Sequence, residues 1–159
     1  EVAKRFFELT DDERVRVKIE DGVKFAERAV KQNAVYDSIL LDACTNDVKE
    51  AILCPAPVFR NTAVIENLSK LAGKTGVLSV NMFTTRDRDV QQAQIESLYQ
   101  KFFVKCVSLR FTMDQKMLFC SNRPDFNWNG RRQDVLTKLE DFDYRMRTNL
   151  NRIVSMLNN

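Results

Sequence analysis

The run Tyr36-Asp37-Ser38-Ile39-Leu40-Leu41-Asp42 constrains the fold more than any other stretch of the chain. Consecutive large apolar residues leave no polar side to face water, so a strand built from them is expected to be buried on both faces, as in a parallel sheet. Parallel strands need long, usually helical, crossover connections. The chain supplies them: a helical pattern from about Val58 to Leu71, closed by Gly73, leads to a second strand, Gly76-Val77-Leu78-Ser79-Val80-Asn81-Met82. A helix from about Arg88 to Phe102 follows. Two strands come next, Lys105 to Phe111 and Lys116 to Ser121, joined by the turn Thr112-Met113-Asp114-Gln115 as an antiparallel hairpin. Upstream, Val15, Val17 and Ile19 alternate with Arg16 and Lys18, the period of a strand with one buried face, and Asp21-Gly22 opens a helix from Val23 to about Lys31. The fold class expected is α/β, a mostly parallel sheet with an antiparallel C-terminal hairpin.

With 159 residues, 44% of them hydrophobic, and only 4 Gly and 3 Pro, one domain with its own core is expected, and a disordered or fibrous chain is excluded. No apolar run reaches the roughly 18 to 20 residues of a membrane span, so no membrane partner is expected and the chain is read as cytoplasmic. Lys and Arg number 25 against 22 Asp and Glu, a net of +3 with the signs interleaved, which argues for no nucleic-acid partner. The opening Glu1-Val2-Ala3-Lys4-Arg5-Phe6-Phe7 reads as the end of a helix entered without a cap, as in a piece of a longer polypeptide.

From Arg131 to Leu157 there is no Gly or Pro, and Val135, Leu139, Phe142, Met146, Leu150, Ile153 and Leu157 trace one apolar stripe. The stripe predicts a long amphipathic helix, or two with a break near Asp141, packed on the domain's own sheet or forming a homodimer interface. Trp128, before the turn signal Asn129-Gly130, reads as a lid on the sheet edge or as a clamp on a substrate or partner. Arg86 and Arg88 stand where an acidic substrate tail could pass, or simply begin a solvated helix.

Cys44, Cys54, Cys106 and Cys120 lie far apart, and without any His or C-x-x-C pair they read as reduced, mostly buried thiols and not as a metal site. The absence of His also removes the Ser-His and Cys-His nucleophile arrangements. Acid-base work therefore falls to carboxylates, Tyr, Lys or water. In open parallel sheets ligands gather at the carboxyl ends of strands, which makes Asp21, Asp42 and Asn81 the residues to weigh. Each Asp has an alternative reading as a helix cap or turn residue, and Asp47 in the loop after Asp42 has the same two readings.

Taken in order, Glu1 to Phe7, Arg14-Val-Arg-Val-Lys-Ile-Glu-Asp-Gly22, Tyr36 to Asp42, and Gly76-Val-Leu-Ser-Val-Asn81 resemble the spermidine-synthase-like methyltransferases. These are Rossmann-like proteins that bind S-adenosylmethionine or its decarboxylated form. Asp42-Ala-Cys-Thr-Asn-Asp47 with Cys54-Pro-Ala-Pro-Val-Phe59 looks most like the C-terminal half of those members that modify translation elongation factor 1-alpha. The resemblance covers roughly residues 1 to 121, taken as the C-terminal portion of a Rossmann-like domain, with 122–159 as a loop and helical extension of the same domain. It implies that Asp21, with Gly22, binds the cofactor's adenine end and that Asp42 is catalytic, with Thr45 and Asp47 on the substrate side. Polyamine synthases carry Asp-Ser-Ser-Asp where this chain has Asp42-Ala43-Cys44-Thr45, so one anchor for a cationic polyamine is replaced by Thr45. The family's first two strands and the glycine-rich loop after the first have no counterpart in the sequence. The expectation is thus the C-terminal portion of an S-adenosylmethionine-dependent methyltransferase acting on a protein amine. Its alternatives are a non-catalytic interaction or dimerisation module and a polyamine aminopropyltransferase.

Overall fold

The computed structural model describes residues 2–125 and 128–149. A helical turn, α1 (Val2–Phe6), precedes an irregular stretch and then α2 (Gly22–Lys31), β1 (Ser38–Leu41), β2 (Ile52–Cys54), a 3-10 turn (Pro57–Arg60), α3 (Thr62–Ala72), β3 (Val77–Thr84), α4 (Arg88–Tyr99), β4 (Lys105–Arg110), β5 (Gln115–Ser121) and α5 (Trp128–Met146). The helix starts follow from their caps. The Asp21 carboxylate accepts from Val23 N and Lys24 N, and the Asn61 amide oxygen accepts from Ala63 N, each meeting a backbone donor that the first turn leaves unpaired. Gly73 ends α3 at φ 58°, a left-handed conformation that costs glycine little.

The sheet has the order β1-β3-β5-β4, with β2 also paired to β3. Among the described residues only β1 and β3 run parallel; β2–β3, β3–β5 and β4–β5 are antiparallel. This corrects the expectation of a mostly parallel sheet. The crossover from β3 through α4 leaves a one-strand gap before β4, and the hairpin return β5 fills it antiparallel to both neighbours. The hairpin itself is where the sequence puts it. Ile52–Cys54, beyond the loop that follows Asp42, is a short strand clipped to the end of β3.

One face of the sheet carries the core. Leu41 of β1, Leu78, Val80 and Met82 of β3, and Leu118 and Cys120 of β5 are buried against Ile65, Leu68 and Ala72 of α3 and Ile95 and Tyr99 of α4. Each large apolar side chain removed from water this way contributes about 1.5–3 kcal/mol before its ordering costs. On the other face Leu40 is 77% exposed, so the expectation that β1 is buried on both faces does not hold. The helices that pack on the sheet gather on the Leu41 side, and Leu40 points away from them.

The alternating segment 15–19 forms no strand. Its backbone is bonded locally: Asp12 Oδ1 accepts from Arg14 N and Val15 N, Asp11 Oδ1 accepts from Val17 N, and Asp12 N donates to Val15 O. Short acidic side chains that take backbone N–H groups compete with sheet pairing. Ile19 is left 96% exposed.

The thiol expectation is also overturned. Cys44–Cys54 and Cys106–Cys120 are disulfides, the second joining directly opposed residues of β4 and β5. Pairing β4 with β5 brings together residues that are 14 apart in sequence, which spacing alone does not announce. At the C-terminal end, α5 runs unbroken past Asp141, and it begins at Trp128, where a turn was expected. Phe142 and Met146 are 40% and 60% exposed, and among the described residues α5 does not pack extensively on the sheet. Leu150, Ile153 and Leu157 of the expected stripe lie outside the described residues, as does the side chain of Val135. No helix among the described residues is long and apolar enough to cross a membrane.

Candidate functional site

Register places the first site residue. Leu41 is opposite Val80, so Asp42, one step past the end of β1, comes beside Asn81. Asn81 Nδ2 donates to Asp42 Oδ1 at 2.8 Å. Behind it, Gln115 Nε2 donates to Asn81 Oδ1 at 3.2 Å. Gln115 opens β5 opposite Phe83 and stands diagonally to Asn81 on the same sheet face, so the three polar side chains form a line across β1, β3 and β5. Asp42 is exposed, whereas Asn81 and Gln115 are half-buried. Asp42 Oδ2 accepts no hydrogen bond among the described residues.

Residues 43–56 leave β1 as an excursion closed at its base. Ala56 N donates to Ala43 O, Thr45 N donates to Leu53 O, both at 2.8 Å, and the Cys44–Cys54 disulfide lies between these rungs. Cys44 Sγ is 3.9 Å from Asp42 Oδ1, a van der Waals contact, since a disulfide sulfur has no proton to give. Thr45 and Asp47 meet at the tip: Thr45 Oγ1 accepts from Asp47 N, and Asp47 Oδ1 accepts from Lys49 N. Asp47 thus occupies a local turn. Neither it nor Thr45 bonds to Asp42 among the described residues.

Asp21 has the capping role that its position allowed, with Oδ1 2.9 Å from Val23 N and 3.0 Å from Lys24 N. Its second oxygen accepts no hydrogen bond among the described residues. Gly22 lies against the Phe59 ring, which a Cβ there would meet at 3.4 Å. Phe59 follows closely on Ala56, and its carbonyl accepts from Tyr99 Oη at 2.8 Å. The Asp42 line thus stands at the start of the 43–56 excursion, and the N-terminus of α2 touches Phe59 in the turn just after its end. Burial pushes the Tyr99 phenol well above its ordinary range, which keeps this buried donor protonated.

Other expected residues belong elsewhere. Arg88 pairs with Asp114 of the hairpin turn, which favours the structural reading; Arg86 is exposed. Buried Gln92 donates to Thr84 Oγ1 and to Asp114 O, binding α4 to the end of β3 and to the same turn. Among the described residues no group of three or more acidic or cysteine side chains is placed to hold a metal ion. Gln115 was assigned to the turn in the sequence and carries no local signal. Its role becomes visible only once β5 pairs with β3.

No family model matches the chain. It is 28% identical over 123 residues to an eEF1A lysine and N-terminal methyltransferase homolog of Drosophila melanogaster, a match covering 77% of this chain and 18% of that protein. To the homolog of Drosophila pseudoobscura pseudoobscura it is 30% identical over the same length, with the same coverage. To the eEF1A lysine and N-terminal methyltransferase of Xenopus laevis it is 29% identical over 103 residues, 64% of this chain and 15% of that protein. The chain thus spans less than a fifth of the length of these relatives. Its fold matches the crystal structure of human methyltransferase-like protein 13 in complex with SAH, with a TM-score of 0.69 and 21% identity, covering 79% of this chain and 57% of that one. The methyltransferase resemblance carried by the sequence is found again in these relatives, and the Rossmann-like fold in the structural match.

Proposed function

We propose that this chain, a relative of the eEF1A lysine and N-terminal methyltransferases, is the C-terminal portion of an S-adenosylmethionine-dependent methyltransferase domain that acts on an amine of a protein. The observation that carries the reading is Asp42, held by Asn81 at the carboxyl end of the parallel pair β1–β3, with one oxygen left open.

The residues present fit the adenine end of the cofactor. Asp21 keeps an uncommitted oxygen for an exocyclic amino group while its other oxygen caps α2, and Gly22, packed on the Phe59 ring, follows it at the start of the helix. Thr45 and Asp47 are assigned to the substrate side. The bound cofactor supplies a sulfonium methyl group as the electrophile. Asp42 Oδ2 accepts a hydrogen bond from the substrate amine and turns the nitrogen lone pair toward that methyl. The surplus proton on the methylated nitrogen passes to Asp42 or to water. Positioning provides most of the acceleration.

Calorimetric titration of S-adenosylmethionine into this chain, beside a longer form extended upstream of Glu1, tests the reading. Binding to the longer form alone supports it, and turnover that survives Asp42→Ala overturns the role of Asp42. Binding to neither form favours the second reading, a non-catalytic interaction module. The exposure of Phe6 (67%), Phe7 (77%) and Leu40 (77%) is the observation on that side.

A further inference from the structure

We propose that Asn81, itself oriented by Gln115, is the positioning residue that sets which oxygen of Asp42 meets the substrate; this rests on the function proposed above. An amide has a donor end and an acceptor end, and two partners agree on which way round Asn81 stands. The Asp42 carboxylate, which can only accept, takes Nδ2 at 2.8 Å, and Gln115 Nε2 holds that orientation from behind by donating to Asn81 Oδ1 at 3.2 Å. The reverse orientation would set a carbonyl oxygen against that carboxylate and leave Gln115 Nε2 facing an NH2 group.

The two amides stand on the best-held part of the sheet. Asn81 lies within β3, which pairs with β1 on one side and β5 on the other, and Gln115 is the first residue of β5. Asp42, in contrast, is exposed and one residue beyond the last pair of β1. Its side chain would turn freely without a tether. The bond to Oδ1 selects one rotamer and presents Oδ2 to the incoming amine, so that ordering is complete before the substrate arrives.

The relay makes an unusual demand: Gln115, which does not touch Asp42, must matter through the orientation of Asn81. Gln115→Glu tests this with nearly unchanged volume. A carboxylate at that position accepts from Asn81 Nδ2, so the amide turns over and its oxygen faces Asp42. In the 159-residue chain, the Asn81 side-chain amide pair in a 15N–1H NMR spectrum is expected to shift in both Gln115→Glu and Asp42→Asn, with backbone signals outside the site unmoved. In a form of the protein that turns over, Gln115→Glu and Asn81→Asp are expected to lower kcat about 10- to 100-fold with the KM for S-adenosylmethionine unchanged. Gln115→Asn, which keeps an amide on a shorter arm, should lose less.

Asn81 amide signals that stay in place in both variants overturn the relay, whatever the activity. So does a Gln115→Glu enzyme whose kcat matches the parent while Asp42→Ala is inactive. Signals that move while Asp42→Ala leaves turnover intact uphold the relay and overturn instead the function assigned to Asp42.

Discussion

Replacing Gly76 by Ala should destabilise the protein far more than the same change at Gly73, although Gly73 is the glycine with the left-handed backbone. At Gly73, φ is +58° and an added Cβ would lie 2.7 Å from Val35 Cγ1. With ψ at −146° the conformation lies near a region that essentially only glycine enters, and it costs an L-residue about 1–3 kcal/mol, of which about 0.4–1 kcal/mol returns through the stiffer unfolded chain. Val35 is 62% exposed and its side chain can swing aside. The net loss is about 1–2 kcal/mol. At Gly76 the same Cβ would lie 2.2 Å from Tyr36 O and 2.5 Å from Ala72 O, both backbone atoms. Relief requires the junction to move, and that junction is fastened by Gly76 N to Ala72 O, Tyr36 N to Leu71 O, Val77 N to Asp37 O and Ser121 Oγ to Gly76 O. Stretching two or three of these at about 0.5–1.5 kcal/mol each, with an overpacking cost of about 1–3 kcal/mol, gives roughly 2–7 kcal/mol. Urea unfolding followed by circular dichroism measures both variants, with the midpoint shifting and the slope constant. A Gly76→Ala protein within about 1 kcal/mol of the parent, or a larger loss at Gly73, would refute the contact argument.

The Tyr99 phenol, raised by burial, favours folding while it is protonated. Its contribution is complete below the ordinary tyrosine range and is lost as the pH rises through that range toward the higher native value. Tyr99→Phe should cost about 1 kcal/mol at neutral pH, through the lost bond to Phe59 O, and should flatten the alkaline fall in melting temperature; an alkaline limb that stays as steep would contradict the assignment. Asp21→Ala should lose about 1 kcal/mol of stability by calorimetry, whereas Asp21→Asn keeps the cap. If Asp21 also holds the adenine amino group, Asp21→Asn should weaken S-adenosylmethionine binding about tenfold without that stability loss, one hydrogen bond being worth about 1–1.5 kcal/mol. The disulfides close sequence separations of 10 and 14 residues, and removing either by paired Cys→Ser changes should cost about 3 kcal/mol. Unreduced protein treated with iodoacetamide should gain no mass; four adducts before reduction would show that the bridges do not form.

The order of strands and helices was legible because apolar patterns and caps are local. Ile39-Leu40-Leu41 marks a strand, Gly73 closes a helix whose start, expected at about Val58, lies at Thr62 after the Pro57–Arg60 turn, and Lys105 to Ser121 reads as a hairpin with no knowledge of its neighbours. The errors fall where the answer depends on a neighbour. Whether β5 inserts beside β3 decides the proportion of parallel pairing, and nothing inside Gln115–Ser121 encodes that. The same insertion aligns Gln115 with Asn81, and the pairing of β4 with β5 aligns Cys106 with Cys120. Val15–Ile19 has the correct period for a strand, yet the carboxylates of Asp11 and Asp12 hold its amides locally.

Asp21 and Asp42 show why a carboxylate at a strand or turn end has an ambiguous meaning until its partners are known. Both look alike in sequence, an acid just after a β-type pattern. Asp21 spends one oxygen on two backbone donors of α2, so its orientation belongs to the helix and survives an amide replacement. Asp42 spends one oxygen on a side-chain donor from a different strand, so its orientation belongs to the pairing of β1 with β3 and beyond it to β5. A capping carboxylate is fixed by residues within a few positions of itself. A carboxylate held across three strands is fixed only when the sheet is complete, at the cost of keeping two amides half-buried. That cost has no return in helix stability, and so the Asp42 line, more than the Asp21 cap, is where selection for chemistry is to be sought.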